Sequence, residues 1–260
     1  MTWAPGYREW APPNALSPAL ACLWVRVVPS KGAPPTLVLP DACVDLIWQQ
    51  DRGAYVAGPD TGPALTSLPQ GMVLLGARFR PGAGGPALGI ALNELLNRRI
   101  DLSDLRPDLA RQFPATLTPK DALRQVAATT ARLIAEGPPD VLVCQASGRL
   151  AQPQTRVEVL AREHGLSERQ FRRRFQATVG YGPKTLQRVL RFRRFLAYID
   201  AELVEADFAR VALDFGYSDQ PHLTRECTRF SGLPPAALGR VRGGGRQLRS
   251  PTPPSQRSRG

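Results

Sequence analysis

The chain has 260 residues, of which 43% are hydrophobic and 22% charged, a composition typical of a globular protein with room for two domains. No stretch approaches the roughly 18 to 20 continuous apolar residues of a membrane helix, and the N-terminus lacks the basic and apolar regions of a secretion signal. The sequence therefore predicts a cytoplasmic protein without a membrane partner.

The cysteines, Cys22, Cys43, Cys144 and Cys227, are widely spaced and form no Cys-x-x-Cys pair. Only two histidines accompany them, which leaves no ligand set with the spacing of a zinc site and no disulfide framework. We expect four reduced thiols, no metal and no cofactor.

The net charge of +12 is concentrated in the C-terminal part of the chain. Residues 1–148 hold 13 basic and 12 acidic residues, residues 149–240 hold 16 and 10, and residues 241–260 hold five and none. This excess favours a polyanionic partner, because every neutralised phosphate releases condensed counterions, although a basic surface alone is equally typical of a well-solvated protein.

The N-terminal region is rich in short apolar runs bounded by turn-forming residues, which predict strands of a small, mainly antiparallel sheet or barrel. These runs cover residues 20–28, 36–39, 43–48, 54–57 and 72–79. After about residue 90 the apolar spacing becomes helical, and it predicts amphipathic helices over residues 87–98 and 120–136. Residues 145–153 are the expected connection to a second domain.

Residues 157–175 have the pattern of a helix-turn-helix unit. Gly165 ends the first helix by adopting the left-handed conformation, and Ser167 with Gln170 predicts a capping box that begins the second. An arginine-rich helix of this kind fits the major groove, where arginine recognises guanine edges. The side chains predicted to face outward are Glu168, Arg169, Arg172 and Arg173.

Residues 208–230 repeat this pattern, with Gly216 at the turn and Ser218 as the expected cap. Pro221 lies in the first helical turn, where its missing N–H removes no hydrogen bond. Taken alone, this second helix is more typical of an ordinary exposed polar helix. Residues 183–199 predict one long linker helix, which sets the separation of the two units. The polar residues of the second unit's second helix are Gln220, His222, Thr224, Arg225 and Arg229.

Three motifs extend the pattern: L-A-x-x-x-G-L-S-x-x-x-F-x-R-x-F, then G-Y-G-P-K, then A-x-x-x-G-Y-S-D-Q-x-H-L-T-R. With them, residues 150–240 resemble the DNA-binding domain of the AraC/XylS family of transcription regulators. The resemblance implies two recognition helices in successive major grooves, bending of double-stranded DNA and contact with RNA polymerase. It also assigns DNA contacts, by position, to Arg169, Arg172 and Arg173 in the first helix and to His222, Thr224 and Arg225 in the second.

This sequence departs from the family pattern at two positions of the second unit. Pro221 stands where a polar reading residue is common, and Cys227 stands where phenylalanine is usual, which leaves a smaller inner contact. The candidate DNA-binding residues are Ser167, Arg169, Gln170, Arg172, Arg173, Gln220, His222, Thr224, Arg225 and Arg229.

The N-terminal runs at residues 40–48, 56–60 and 76–83 resemble an uncharacterised domain that is fused to such DNA-binding domains in bacterial regulators. The resemblance implies a module that senses a small-molecule effector or forms a homodimer. Arg78 and Arg80 share a predicted strand face and suit an anionic effector, but an ion pair with a nearby aspartate is the favoured role.

The sequence thus predicts an α+β multidomain protein. A β-rich domain, a small sheet or barrel with flanking helices, covers residues 1–148; an all-α domain of two helix-turn-helix units joined by a linker helix covers residues 149–240; a disordered basic tail covers residues 241–260. We expect a sequence-specific transcription factor and not an enzyme. The alternatives are a DNA-repair alkyl acceptor, which lacks the Pro-Cys-x-Arg motif here, and a nonspecific architectural protein.

Overall fold

The computed structural model describes residues 3–114, 116–201 and 207–244. Within these ranges the five predicted strands are confirmed, with ends that differ by one residue. Three strands without a sequence signal join them at the start of the chain, after residue 63 and after residue 98. The strands are β1 Gly6–Trp10, β2 Leu20–Val27, β3 Thr36–Val38, β4 Val44–Gln49, β5 Gly53–Ala57, β6 Ala64–Thr66, β7 Val73–Phe79 and β8 Arg99–Asp101.

Six strands form one antiparallel sheet in the order β1-β2-β7-β4-β5-β8, and β3 pairs with β6 as a small second sheet. In the large sheet Trp24 lies opposite Gly76, Gly76 opposite Ile47 and Ile47 opposite Tyr55, so these residues share one face. The other face is an apolar core that helices cover. The β-rich domain predicted from the sequence is therefore present, as two sheets.

The helices follow, and the one predicted over residues 120–136 is confirmed as Pro119–Glu136. They are α1 Gly84–Leu88, α2 Leu102–Leu105, α3 Pro107–Ala110, α4 Pro119–Glu136, α5 Val141–Leu150, α6 Val157–Glu163, α7 Glu168–Val179, α8 Pro183–Ala201, α9 Phe208–Asp214, α10 Gln220–Ser231 and α11 Pro235–Gly244.

The helix predicted over residues 87–98 is wrong. Helix α1 ends at Gly89, whose φ of 68° is left-handed, and the chain continues as a 3-10 turn at Leu92–Leu95 and then as strand β8. Leu88, Leu92 and Leu95 are buried all the same. The apolar spacing therefore predicted correctly which residues are buried. It did not predict their backbone conformation, because Gly89 ends the helix in the middle of the segment and a 3-10 turn follows.

The expected connection at residues 145–153 is also mostly wrong, because helix α5 occupies its first part. Asp140 caps α5 by accepting a hydrogen bond from the backbone N–H of Val143 at 3.1 Å. Val143, Ala146 and Leu150 of this helix are buried in the same core as the helix-turn-helix units. The predicted boundary at residue 148 thus falls inside a helix that packs on the C-terminal core.

The long helix α8 confirms the predicted linker helix and lies at the centre of that core. Phe171 and Phe175 of α7, Phe192 of α8 and Phe230 of α10 belong to one cluster. Both helix-turn-helix units are therefore packed on one continuous apolar core, and α8 contacts both.

At the C-terminal end, the prediction of a tail from residue 241 is wrong for its first residues. Helix α11 continues to Gly244, and Arg242 forms an ion pair with Asp200 of α8 at 2.5 Å. Arg242 is buried, so the last helical turn belongs to the fold. The remainder of the predicted tail lies outside the described residues. Among the described helices, none is long and apolar enough to cross a membrane.

The N-terminal region contacts the C-terminal helices at several places. Asp41 forms an ion pair with Arg193 of α8 at 3.6 Å, and Asp140 forms a two-bond ion pair with Arg174 of α7 at 2.6 and 2.9 Å. A methyl group added at Gly180 would lie 2.4 Å from Cγ of Pro59, so the end of α7 is pressed against the N-terminal loop. These contacts couple the sheets to the first helix-turn-helix unit and the linker helix.

Candidate nucleic-acid interface

The first helix-turn-helix unit consists of α6, a turn at Gly165 and α7. Gly165 has a φ of 66°, as a glycine past a helix end requires. The capping box is confirmed: Ser167 Oγ accepts from the Gln170 N–H at 3.3 Å, and Gln170 Oε1 accepts from the Ser167 N–H at 2.9 Å. The local sequence thus fixes where α7 begins, and with it the phase of every side chain that follows.

That phase places Arg173 on the solvent side of α7. Phe171 and Phe175 are fully buried, and a residue midway between them lies about 160° away around the helix. Arg169, one turn before Arg173, is exposed on the same side. The structure therefore brings Arg169 and Arg173 together on the outermost surface of the helix.

Arg172 occupies a different side of α7. With Arg169 and Lys184 it lines an open groove between the helix and the loop that leads into α8. Arg174, on the other flank, is held by Asp140 and is not free to reach DNA without breaking that ion pair. Ser167 and Gln170 are exposed, but their side chains are engaged in the cap.

The second unit consists of α9, a turn at Gly216 and α10. The predicted cap at Ser218 is wrong: Asp219 is the N-cap, and its carboxylate accepts from the His222 N–H at 2.6 Å. Both residues have the side chain of a cap, and α10 begins one residue later than the sequence pattern suggested. Pro221 lies in the first turn, as predicted.

His222 is oriented by the turn that precedes it. Its Nδ1 lies 3.3 Å from the Ser218 backbone N–H, which donates to it, and 3.1 Å from Ser218 Oγ. A neutral imidazole that accepts at Nδ1 carries its proton on Nε2. The imidazole also packs against the ring of Tyr217 in a T-shaped arrangement, with ring centroids 5.4 Å apart, and this contact restricts its orientation further.

Arg225 has the same position in α10 that Arg173 has in α7. It lies midway between Leu223 and Cys227, both of which are fully buried, and it is exposed. Arg229, one turn later, is also exposed. The two helices therefore each present one arginine directly opposite their buried seam.

A cluster of two arginines of the linker helix α8 surrounds Glu226 of α10. This carboxylate is only 3% exposed; it accepts from Arg188 Nε and from Arg191 Nη2, the latter at 2.8 Å. Arg191 also donates to the carbonyl of Gly216 at 2.9 Å, and its guanidinium lies 4.4 Å from the ring centroid of Tyr217. Glu226 thus ties the linker helix to α10 of the second unit.

This cluster extends the candidate interface beyond the residues predicted from the sequence. An open groove of about 630 Å³ is lined by Arg188 and Arg191 of α8 together with residues of the second unit. The predicted residues His222, Arg225 and Arg229 lie on this groove, whereas Gln220 and Thr224 do not. A glutamate on the apolar side of α10, between Leu223 and Cys227, was the signal in the sequence that could have revealed the arginine pair.

Arg188, Arg191 and Arg194 of α8 are all partly buried, because α8 packs on neighbouring helices. Burial lowers the pKa of Arg194, whose Nη2 lies 3.5 Å from the carbonyl of Phe215. These arginines therefore contact the second unit as well as solvent.

In the N-terminal region Arg78 has the role favoured from the sequence. Its guanidinium lies 3.1 Å from Asp45 and 3.3 Å from both Asp41 and Glu9. Arg80, its neighbour on the same face, instead donates to the carbonyls of Ser17 and Leu20. No free anion-binding pair is formed by these two arginines.

The cysteines are free thiols, and burial raises the pKa of each. A thiol with a raised pKa is a poor nucleophile, which disfavours an alkyl-acceptor chemistry. Among residues 3–114, 116–201 and 207–244, no cluster of His, Cys, Asp or Glu could hold a metal ion.

Comparison with protein families gives two matches. Residues 8–101 match a family described as a domain of unknown function (DUF6597), and residues 160–240 match a family described as a helix-turn-helix domain. These matches confirm both resemblances drawn from the sequence motifs. A comparison with curated proteins found no match.

Among solved structures, crystal structures of ToxT from Vibrio cholerae are similar to the chain in outline. One ToxT structure shares 8% identity with a TM-score of 0.42 and covers 91% of this chain and 98% of that one. ToxT from strain O395 shares 9% with a TM-score of 0.40, covering 92% and 98%. Unsaturated fatty acid bound wild-type ToxT from strain SCE256 shares 9% with a TM-score of 0.38, covering 92% and 95%.

Proposed function

Because residues 160–240 form an AraC-type helix-turn-helix domain, we propose that this protein is a sequence-specific transcription factor that binds double-stranded DNA through both units. The observation that carries the proposal is the matched placement of Arg173 and Arg225. Each is exposed on a capped helix, directly opposite a pair of fully buried residues. Arginine in this position reads guanine bidentately in the major groove.

The shared core supports a bipartite mode of binding. Both recognition helices pack on the core that contains α8, so their separation is set by one rigid element and not by a flexible linker. In this mode of binding, Arg173 and Arg225 contact bases. Phosphate or base contacts are made by five further residues: Arg169, Arg172, Arg188, His222 and Arg229. Thr224 and Gln220 lie away from the groove and take a secondary role.

We further propose that the N-terminal region modulates DNA binding through an effector or a homodimer. Asp41 lies between the sheet and the linker helix: it is within 3.3 Å of Arg78 and 3.6 Å of Arg193. A displacement of Arg78 in the sheet can therefore be transmitted to Arg193 of α8 through the carboxylate of Asp41. A regulator of this kind acts on the chromosome in the cytoplasm, and RNA polymerase is its expected protein partner.

Selection from a random duplex library tests the proposal. The purified protein is incubated with the library at physiological salt, the bound sequences are amplified, and the winner and a scrambled duplex are titrated in parallel. A motif with two halves about one helical turn apart is expected. Equal affinity for every sequence, with a steep dependence on salt, would contradict sequence-specific reading and indicate an architectural role.

A further inference from the structure

The face of the large sheet that carries Trp24, Ile47 and Tyr55 forms an apolar cluster of its own, separate from the helix-covered core on the opposite face. The small sheet of β3 and β6 lies over it, and between the two sheets is a cavity of about 160 Å³. Its apolar lining includes Leu37, Leu39, Leu68 and Leu74 in addition to the aromatic residues.

The indole of Trp24 forms the floor of this cavity, because Gly76 on the neighbouring strand has no side chain and leaves room for it. A methyl group at Gly76 would lie 2.2 Å from Cε2 of Trp24, so the indole lies across the sheet directly over the glycine. The indole N–H donates to Asp45 Oδ1 at 2.8 Å, which fixes the ring in this orientation. Tyr7 lies beside it, with ring centroids 5.8 Å apart.

Three arginines line the cavity, and one of them, Arg26, has no carboxylate partner among the described residues. Arg78 is surrounded by Asp41, Asp45 and Glu9, and Arg99 forms a two-bond ion pair with Asp60 at 2.6 and 2.9 Å. Arg26, by contrast, contacts only the hydroxyl of Thr36 on the small sheet, and no ion pair to it occurs in the part of the chain that the structure describes.

Arg26 is half-buried, and desolvation lowers its pKa because no carboxylate compensates the lost water. A half-buried guanidinium beside aromatic rings is the arrangement that recognises a carboxylate attached to a flat apolar body. The volume limits that body: a cavity of roughly 150 Å³ is enough for benzene.

We propose that this cavity binds a small organic carboxylate with a single ring, whose ring lies on Trp24 and Tyr55 and whose carboxylate pairs with Arg26. Naming this molecule an effector rests on the proposed function, but its binding does not. The volume suits a single ring, and the paired state of Arg78 and Arg99 leaves Arg26 as the anion-binding group.

Calorimetric titration of the full chain with benzoate, without DNA, tests the proposal. Benzamide serves as the neutral ligand of the same shape. We expect saturable binding of one benzoate, and Arg26→Gln should weaken it about 10- to 100-fold, because charge-assisted hydrogen bonds are lost. Arg8→Gln is the matched control: Arg8 lies on strand β1 next to Tyr7, so its side chain points to the opposite face of the sheet.

A second variant keeps the test decisive if Arg26→Gln folds poorly. Ala57→Phe adds a ring on the cavity wall without removing any polar group, and it should abolish benzoate binding while thermal unfolding shows an intact fold. The proposal would be overturned by an absence of saturable binding at millimolar benzoate, by unchanged binding in Arg26→Gln, or by equal affinity for benzamide. Benzoate binding by a protein that selects no DNA motif would support the cavity and remove only the proposed regulatory role.

Discussion

The substitution Glu226→Gln probes the junction between the linker helix and the second recognition helix. It keeps the shape of the side chain but removes the buried negative charge that pairs with Arg188 and Arg191. Loss of one partner of a buried ion pair costs about 3 to 5 kcal/mol. Here the arginine side chains are 35% and 20% exposed and can turn toward water, so we expect about 2 to 3 kcal/mol in the free energy of unfolding.

Urea-induced unfolding, followed by tyrosine and tryptophan fluorescence and by circular dichroism, measures this loss. Glu158→Gln is the matched control, because Glu158 pairs with Lys184 at 3.4 Å on the surface, and such pairs contribute about 0 to 1 kcal/mol. On DNA, Glu226→Gln should weaken the base preferences of one half of the selected site, since Arg188 and Arg191 line the groove beside Arg225. An unfolding midpoint within error of the parent would refute the assignment of Glu226 as the stabilising buried partner of Arg188 and Arg191.

The remaining predictions concern the caps and the buried aspartate. Ser167→Ala and Asp219→Ala should each destabilise their helix by about 1 kcal/mol, whereas Ser218→Ala, which removes no N-cap, should cost clearly less; urea unfolding and amide exchange in the first turns distinguish these outcomes. Burial raises the pKa of Asp45 to about 6, above its unfolded value, so its folded form binds the extra proton between about pH 4 and 6. Stability from this group is present below that window and is lost as the pH rises through it, by about 1 to 3 kcal/mol, and Asp45→Asn should flatten this part of the profile. A parent profile identical to that of Asp45→Asn would contradict the raised pKa.

Short sequence patterns predicted the elements whose conformation depends on residues nearby in the chain. The five apolar runs became strands, and the sequence Gly165 to Gln170 specified a turn and a capping box within a few residues. Strand β8 could not be predicted in this way: its three residues are largely polar, and they are extended because they pair with β5 more than 40 positions earlier in the chain.

Most of what the sequence missed depends on distant partners. Glu226 and Arg191 are separated by 35 positions, and the sequence alone does not show that α8 and α10 bring them together. Gly76 matters only because Trp24 of another strand lies across it. The choice of Asp219 over Ser218 as the cap was a matter of one residue, which falls within the usual uncertainty of helix ends.

If two helices read two separate halves of one DNA site, their arginines must act on different bases. The base preferences of Arg173→Ala and of Arg225→Ala are to be measured at every position of the selected duplex, with Arg162→Ala of the exposed α6 surface as control. We expect each variant to lose about 1 to 3 kcal/mol of base discrimination, each in a different half of the site, while the control keeps the discrimination in both halves. Uniform weakening on all sequences, or loss in the same half for both variants, would contradict the reading of two halves by two helices.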